Sequence, residues 1–150
     1  MKKLIFIIYF SFMAISMLAQ NGYTDLGLPS GTKWKNYNAT GFYTYDEAIS
    51  QFGNRLPSMD QWYELKAECQ WTWIGNEFKV TGPNGQSITL PTPGFCNCSG
   101  NMYNVGSFGR YWSSMPDGPE GALFFYFSSD QIGYNECPRC QGLSVRLVQK

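Results

Sequence analysis

The sequence has 150 residues with 11 basic and 11 acidic side chains, no histidine, 17% aromatic residues and only 15% charged residues. This composition excludes a basic nucleic-acid-binding protein and a charge-rich disordered chain. The aromatic content predicts a packed, strand-rich domain whose cohesion comes from large rings rather than from ion pairs.

The first residues predict a signal peptide that covers residues 1–19. Lys2 and Lys3 form a positive n-region, an almost uninterrupted apolar run follows to Leu18, and Ala19 is a small residue at the expected cleavage site. An uncleaved membrane anchor is the alternative, but the apolar run is shorter than the roughly 20 residues that a spanning helix needs. We therefore expect export.

Cleavage would leave residues 20–150, a length that suits a single domain. The loss of two lysines would bring the net charge to −2. We expect this domain to be secreted, periplasmic or displayed at the cell surface, to bind no nucleic acid, and to have no stable membrane insertion after cleavage.

The domain is predicted to begin with a strand, a turn and a second strand in the stretch YTDLGLPSGTKW. Two short helices follow, and each opens with a capping box, in which two residues three positions apart satisfy each other's backbone N–H groups. Thr44 with Glu47 starts the first helix, and Ser58 with Gln61 starts the second.

Strand signals replace helix signals from Trp71 onward. The stretches WTWI and EFKV flank Gly75 and Asn76, which predicts a hairpin because both residues tolerate the positive φ of a two-residue turn. A loop rich in Gly, Asn and Cys spans residues 92–109, and short strands follow in RYWSS, ALFFYFSS, QIGYN and SVRLV. Early helices and late strands predict an α+β domain with antiparallel sheets.

The cysteines form two close pairs, Cys96 with Cys98 and Cys137 with Cys140, and Cys69 stands apart. Four interpretations compete: a tetrathiolate zinc site, a thioredoxin-type redox site at CPRC, structural disulfides, and free thiols in a reducing compartment. The C-x-C spacing disfavours zinc, the strand after CPRC disfavours the redox site, and export favours disulfides. A bond between Cys96 and Cys98 would close a strained ring, so we expect bonds between the two pairs.

No motif in the sequence indicates catalysis. Histidine, the commonest general base, is absent, and no zinc-protease, nucleophile-elbow or phosphate-loop pattern occurs. Two pairs of carboxylates could in principle act as acid and base: Asp46 with Glu47, and Asp60 with Glu64. They lie in first helical turns or on a solvated helix face, where acidic residues stabilise the helix. We expect no enzyme activity, no metal and no cofactor.

Strand alternation divides the C-terminal residues between two faces of a sheet. It points Phe125, Phe127, Ile132 and Tyr134 inward. The outward set mixes aromatic and polar side chains, a composition typical of adaptable binding surfaces. The predicted ligand-binding residues are Phe108, Arg110, Phe124, Tyr126, Gln131, Asn135 and Arg139.

Phe108 and Phe124 have a second interpretation, in which both belong to a second core layer rather than to the surface.

Five blocks cover essentially the whole predicted domain in order: YTDLGLPSGTKW, RLPSMDQWYEL, CQWTWIGNEFKVTGPNGQSITLP, YNVGSFGRYWSS and GLSVRLV. Together they resemble the Fibrobacter succinogenes major paralogous domain family. The resemblance implies a C-type-lectin-like fold, in which two helices flank antiparallel sheets, the first and last strands pair, and a long-loop region is present. The block RLPSMDQWYEL is also distantly similar to formylglycine-generating and sulfatase-modifying domains.

The resemblance also implies a disulfide between Cys98 and Cys140, where similar family members carry a matching pair. We expect a second bridge between Cys96 and Cys137. The family partner of Cys69 falls where this chain has Tyr37, so Cys69 is expected to be a buried free thiol.

Function is expected to differ from that of several similar proteins. Calcium-dependent lectins of this fold use Glu-Pro-Asn or Gln-Pro-Asp and a later Trp-Asn-Asp, and this chain has neither. Some similar proteins are diversified by a retroelement, which here would affect outward positions between Phe108 and Arg139. We expect a non-catalytic binding module for a protein or glycan. An envelope scaffold is the alternative, and a formylglycine-type enzyme comes third.

Overall fold

The computed structural model describes residues 22–150, so the signal peptide predicted for residues 1–19 lies outside the described residues. The helices are α1 (Tyr45–Phe52) and α2 (Met59–Glu68), with a short 3-10 turn at Gly53–Arg55 between them. Neither of these helices is long and apolar enough to cross a membrane. The strands are β1 (Tyr23–Asp25), β2 (Lys33–Lys35), β3 (Gln70–Trp73), β4 (Glu77–Thr81), β5 (Ser87–Pro91), β6 (Phe95–Cys96), β7 (Met102–Tyr103), β8 (Gly109–Asp117), β9 (Gly121–Phe127), β10 (Ile132–Pro138) and β11 (Val148–Gln149).

The strands form four antiparallel sheets with the orders β1-β2-β11, β3-β4-β5, β10-β9-β8 and β6-β7. Two short helices and antiparallel sheets confirm the predicted α+β class.

Both predicted capping boxes are present. The Thr44 hydroxyl accepts from the Glu47 N–H at 3.3 Å, and the Glu47 carboxylate accepts from the Thr44 N–H at 2.9 Å. Ser58 and Gln61 make the same reciprocal bonds at 3.1 and 2.9 Å. These bonds satisfy N–H groups that a helix start leaves without partners.

The predicted hairpin between β3 and β4 is also confirmed. Trp73 lies opposite Phe78, and the Ile74 N–H donates to the Glu77 carbonyl at 2.9 Å. Gly75 has a φ of +95°, a backbone conformation that only glycine adopts without strain.

The first and last strands share a sheet but do not pair with each other, contrary to the expectation from the resemblance. Trp34 of β2 lies between them, opposite Thr24 of β1 and Val148 of β11. Trp34 is completely buried. Strand β2 therefore takes the centre of the sheet, where both of its edges are hydrogen-bonded.

The predicted closing strand SVRLV is regular only at its end. Ser144 bonds to Arg110 and Trp112 of β8. The Val145 carbonyl accepts from Ala39 in the segment after β2, and the Leu147 carbonyl accepts from Lys35 at the end of β2. Because the segment changes partner along its length, it forms isolated bridges rather than one ladder.

Two hydrophobic cores lie on opposite faces of the sheet β10-β9-β8. On one face Phe125 stacks on Trp62 of α2, with ring centroids 4.8 Å apart. On the other face Trp112 and Phe124 pack with α1, where Tyr45 contacts the Trp112 ring edge-on at 5.5 Å. Alternate residues of one strand thus enter different cores.

A buried arginine joins three parts of the chain. The Arg146 side chain is 1% exposed, and its Nε, Nη1 and Nη2 donate to the Asn38 side chain, the Lys35 carbonyl and the Thr89 carbonyl at 2.9, 2.8 and 2.7 Å. Burial lowers the pKa of Arg146 to about 10. The closing segment is thereby bonded to β2, β5 and the loop after β2.

Replacement of Arg146 by Met should lower the free energy of unfolding by about 3 kcal/mol, since three partly buried acceptors would lose their donor. Chemical denaturation measures this loss. Arg55→Met is the control, because Arg55 is exposed and its loss should cost within about 0.5 kcal/mol. Equal stability of the two variants would contradict the role of Arg146.

Candidate functional site

The outer face of the sheet β10-β9-β8, which points away from α2, is covered over only part of its length. Trp112 and Phe124 are buried there, with 0% and 3% exposure, under α1 and the closing segment. Arg110 and Tyr126, the next pair of β8 and β9 on the same face, are half-buried. This partly open end is the candidate site.

Arg110 lies among aromatic rings at this end. Its guanidinium carbon is 3.7 Å from the ring centroid of Phe95, 5.1 Å from that of Phe124 and 5.7 Å from that of Phe108. Phe108 stacks on Tyr126 with centroids 5.4 Å apart. We call these five residues the Arg110 cluster. Guanidinium groups are held well by ring faces, because the ring face is electron-rich.

Arg110 is poorly satisfied by the rest of the fold. Its Nη1 donates to the Gln141 side-chain oxygen at a long 3.5 Å, and its Nε is buried without a partner. Within residues 22–150 the one ion pair joins Arg139 to Asp46, so no carboxylate neutralises Arg110. Burial lowers the pKa of Arg110, yet the group stays cationic at neutral pH.

A glycine on the neighbouring strand shapes this surface. Tyr126 of β9 lies opposite Gly133 of β10. A Cβ at position 133 would come within 3.0 Å of the Tyr126 hydroxyl oxygen. The glycine therefore leaves room for the tyrosine ring to lie against β10.

The loop between β5 and β8 adds a small hairpin beside the cluster. Phe95 of β6 stacks on Tyr103 of β7 with ring centroids 5.6 Å apart. Met102, Tyr103 and Val105 are 42%, 46% and 66% exposed. We call the Arg110 cluster together with these three residues the binding surface.

The disulfide between Cys98 and Cys140 is present, with Cα atoms 5.0 Å apart, as the resemblance implied. It ties the loop to the segment after β10 across a sequence separation of 42 residues, for which loop-closure entropy predicts about 4 kcal/mol of stabilisation. Backbone hydrogen bonds of 2.8 and 3.0 Å between Cys96 and Gly142 fix the same contact. The hairpin is held at two adjacent points.

The predicted bridge between Cys96 and Cys137 is wrong, because both residues are free thiols. Cys137 still belongs to β10, and its side chain is 8% exposed in the core beside α1. Cys96 contacts Met102 on the loop hairpin instead. Cys140 lies past the end of β10, where the chain has turned towards the loop, and it is bonded to Cys98.

Cys69 is a free thiol, as predicted, but it is half-buried rather than fully buried. It caps the end of α2 and packs against the core on that side. Burial raises the pKa of Cys69 to about 11.

Two predicted ligand residues are used inside the fold. Phe124 belongs to the second core, so the alternative interpretation is correct for this residue. Phe108, which had the same alternative, is only half-buried. Arg139 donates to the carbonyls of Gly121 and Gly118 at 3.0 and 2.9 Å and lies 3.4 Å from the Asp46 carboxylate. Its donors hold the β8–β9 turn against α1.

The predicted positions on and before β10 are exposed. The Gln131 carbonyl closes the β9–β10 turn by accepting from the Ser128 N–H, and Asn135 lies opposite Phe124 with its side chain bonded to the next N–H. Tyr134 shares the inner face with Phe125, as predicted, but lies at the sheet edge and is 55% exposed.

Sequence reasoning missed Phe95, Tyr103 and Gln141. The first two lie in strands of two residues each, which are too short to show a period of two. Gln141 follows the disulfide, and only its contact with Arg110 shows its role.

Two of the acidic side chains considered above have structural partners. The Glu64 carboxylate accepts from the Ser30 N–H and hydroxyl at 2.9 and 2.6 Å, and Asp46 pairs with Arg139. Among residues 22–150, no three His, Cys, Asp or Glu side chains lie close enough together to hold a metal ion. What the Arg110 cluster offers is ring faces and an unsatisfied cation, which suit binding.

Comparison of the chain with protein-family models, curated proteins and solved structures finds no match. The family resemblance and the C-type-lectin-like fold therefore remain predictions from the sequence.

Titration of the unfolded, unreduced protein with a thiol reagent should find three thiols, those of Cys69, Cys96 and Cys137. Peptide mapping by mass spectrometry should recover Cys98 linked to Cys140. A count of one thiol would mean that the second bridge forms after all.

Cys137→Ala should weaken the alkaline loss of stability. Burial raises the pKa of this thiol from 9 to about 12. A pKa that is higher in the folded state contributes stability below pH 9, and this contribution disappears as the pH rises towards the folded value. Denaturation of parent and variant from pH 9 upwards measures the difference, in which other titrating groups cancel. Parallel pH profiles would contradict the prediction.

Proposed function

We propose that this chain is an exported, non-catalytic binding module of C-type-lectin-like fold, and that it binds its ligand, a protein or a glycan, through the binding surface. Secretion, the periplasm and the cell surface are all consistent with this proposal. The observation that carries it is the half-buried guanidinium of Arg110, set among ring faces without a counter-ion.

The composition of the surface favours a protein over a glycan. Aromatic residues, Met and Arg are enriched in protein interfaces, whereas Lys, Glu and Asp are depleted from their centres. Seven of the eight residues of the binding surface are aromatic, Met or Arg, and the eighth is Val105. The exposed or half-buried members of this surface are Phe95, Met102, Tyr103, Val105, Phe108, Arg110 and Tyr126, and Phe124 is its one buried member.

The way in which the loop is held also supports recognition. The Cys98–Cys140 disulfide and the backbone bonds of Cys96 restrain the hairpin before any ligand arrives. A surface that is already ordered loses less conformational entropy on binding, so more of the contact energy appears as affinity.

An envelope scaffold without a dedicated ligand is the second candidate. The observation that favours it is the internal use of Phe124 and Arg139, two residues that strand alternation assigned to a ligand.

A selection from a random peptide display library, run beside a glycan array on the same oxidised protein, tests this proposal. We expect peptides that bind saturably and lose at least about tenfold in affinity when Tyr103→Ser or Phe108→Ser is introduced, as for residues central to an interface. Tyr37→Ser is the matched control, since Tyr37 is 64% exposed and lies outside the surface.

The absence of any saturable ligand would support the scaffold. An equal loss of binding in the Tyr37→Ser variant would place the contact elsewhere on the molecule. Saturable binding on the glycan array alone would mean that the ligand is a glycan and not a protein.

A further inference from the structure

Three arginines of this fold make extensive contacts, and two of them are satisfied. Arg146 donates to three acceptors at 2.7 to 2.9 Å. Arg139 donates to two carbonyls and pairs with Asp46. Arg110 has one partner, Gln141, at 3.5 Å.

The five N–H donors of Arg110 therefore exceed what the chain supplies. Removing a charged group from water without a counter-ion is costly, and a fold tolerates this where a ligand provides the missing acceptor. The Cys137 thiol is close enough to affect the pKa of Arg110, but its own raised pKa leaves it neutral at pH 7, so it is no counter-ion.

We propose that Arg110 receives one carboxylate from a peptide segment of the protein partner, while an adjacent apolar side chain of that segment packs on Phe108 and Tyr126. This inference rests on the proposed function, because it names the chemistry that the same surface recognises. Planar guanidinium and carboxylate groups match in a two-bond geometry, which gives direction as well as attraction.

Nε of Arg110 is buried, so the carboxylate is expected to meet the terminal nitrogens, Nη1 and Nη2. Nη2 has no partner within residues 22–150, and Nη1 has only the long contact with Gln141. Displacement of such a weak contact costs the fold little.

The charge around the site favours a single carboxylate over a phosphate or a polyanion. Arg110 is the one basic residue of the binding surface, whereas phosphate sites commonly gather several donors. The chain without residues 1–19 would carry a net charge of −2, which gives no long-range attraction for an acidic polysaccharide. An isolated carboxylate beside an apolar group fits both conditions.

Nuclear magnetic resonance of the side-chain N–H groups of arginine tests the site with three small probes: phenylacetate, its neutral analogue phenylacetamide, and inorganic phosphate. We expect phenylacetate to shift the Arg110 signals saturably. Phenylacetamide should bind with an apparent affinity at least about tenfold lower, because it lacks the charge. The proposal fails if the two analogues act alike, or if phosphate binds more tightly than phenylacetate.

Arg110→Gln should abolish the response to phenylacetate, and Arg55→Gln should preserve it, because Arg55 is an exposed arginine outside the surface. Undiminished binding to the Arg110→Gln variant would overturn the proposal. The comparison of acid and amide on the unaltered protein decides the question even if the variant does not fold.

The selected peptides separate this inference from the proposed function. We expect replacement of one Asp or Glu in them by Asn or Gln, or amidation of the C-terminus, to weaken binding at least about tenfold. Peptides that bind without any carboxylate would leave the proposed function intact and defeat this inference. A response to phenylacetate with no peptide ligand would support a carboxylate site at Arg110 and defeat the proposed function. Tighter binding of an oligogalacturonate than of any peptide would mean that the carboxylate belongs to a glycan.

Discussion

The fold depends on a cation that is buried without a carboxylate partner. Arg146 links the sheet β1-β2-β11 to the sheet β3-β4-β5, and its donors are matched by one side-chain amide and two carbonyls. Asn38 continues the network by donating to the Tyr111 hydroxyl, which donates in turn to the Pro91 carbonyl. This network fixes a short chain end to strands that are distant in sequence. Hydrogen bonds are directional, so they define the position of the chain end more closely than a few hydrophobic contacts would.

The network also explains where the site lies. Tyr111 occupies the inner face of β8, so its neighbour Arg110 must point to the outer face. On that face α1 covers Trp112 but does not reach Arg110, which leaves one pair of the ladder partly open. The same alternation that builds two cores therefore also produces one uncovered cation, and the disulfide-held loop supplies the Phe95 ring against it.

Correct and incorrect predictions divide by the distance over which the deciding interactions act. The capping boxes at Thr44 and Ser58 and the turn at Gly75 involve residues a few positions apart, so the sequence contains all their partners. The exposure of Phe124 depends on α1, more than 70 residues earlier in the chain, and a strand pattern reports only which face a side chain occupies.

The sequence by itself determined the α+β class, the two helices, the hairpin and a strand pattern that separates Phe125 from Phe124, because local geometry and hydrophobic periodicity fix these features. Only the tertiary structure decided that Cys96 and Cys137 stay unpaired, that Arg139 and Arg146 find internal acceptors, and that Arg110 does not. Such outcomes depend on which distant groups meet in space, and a linear pattern of polar and apolar residues carries no record of those meetings.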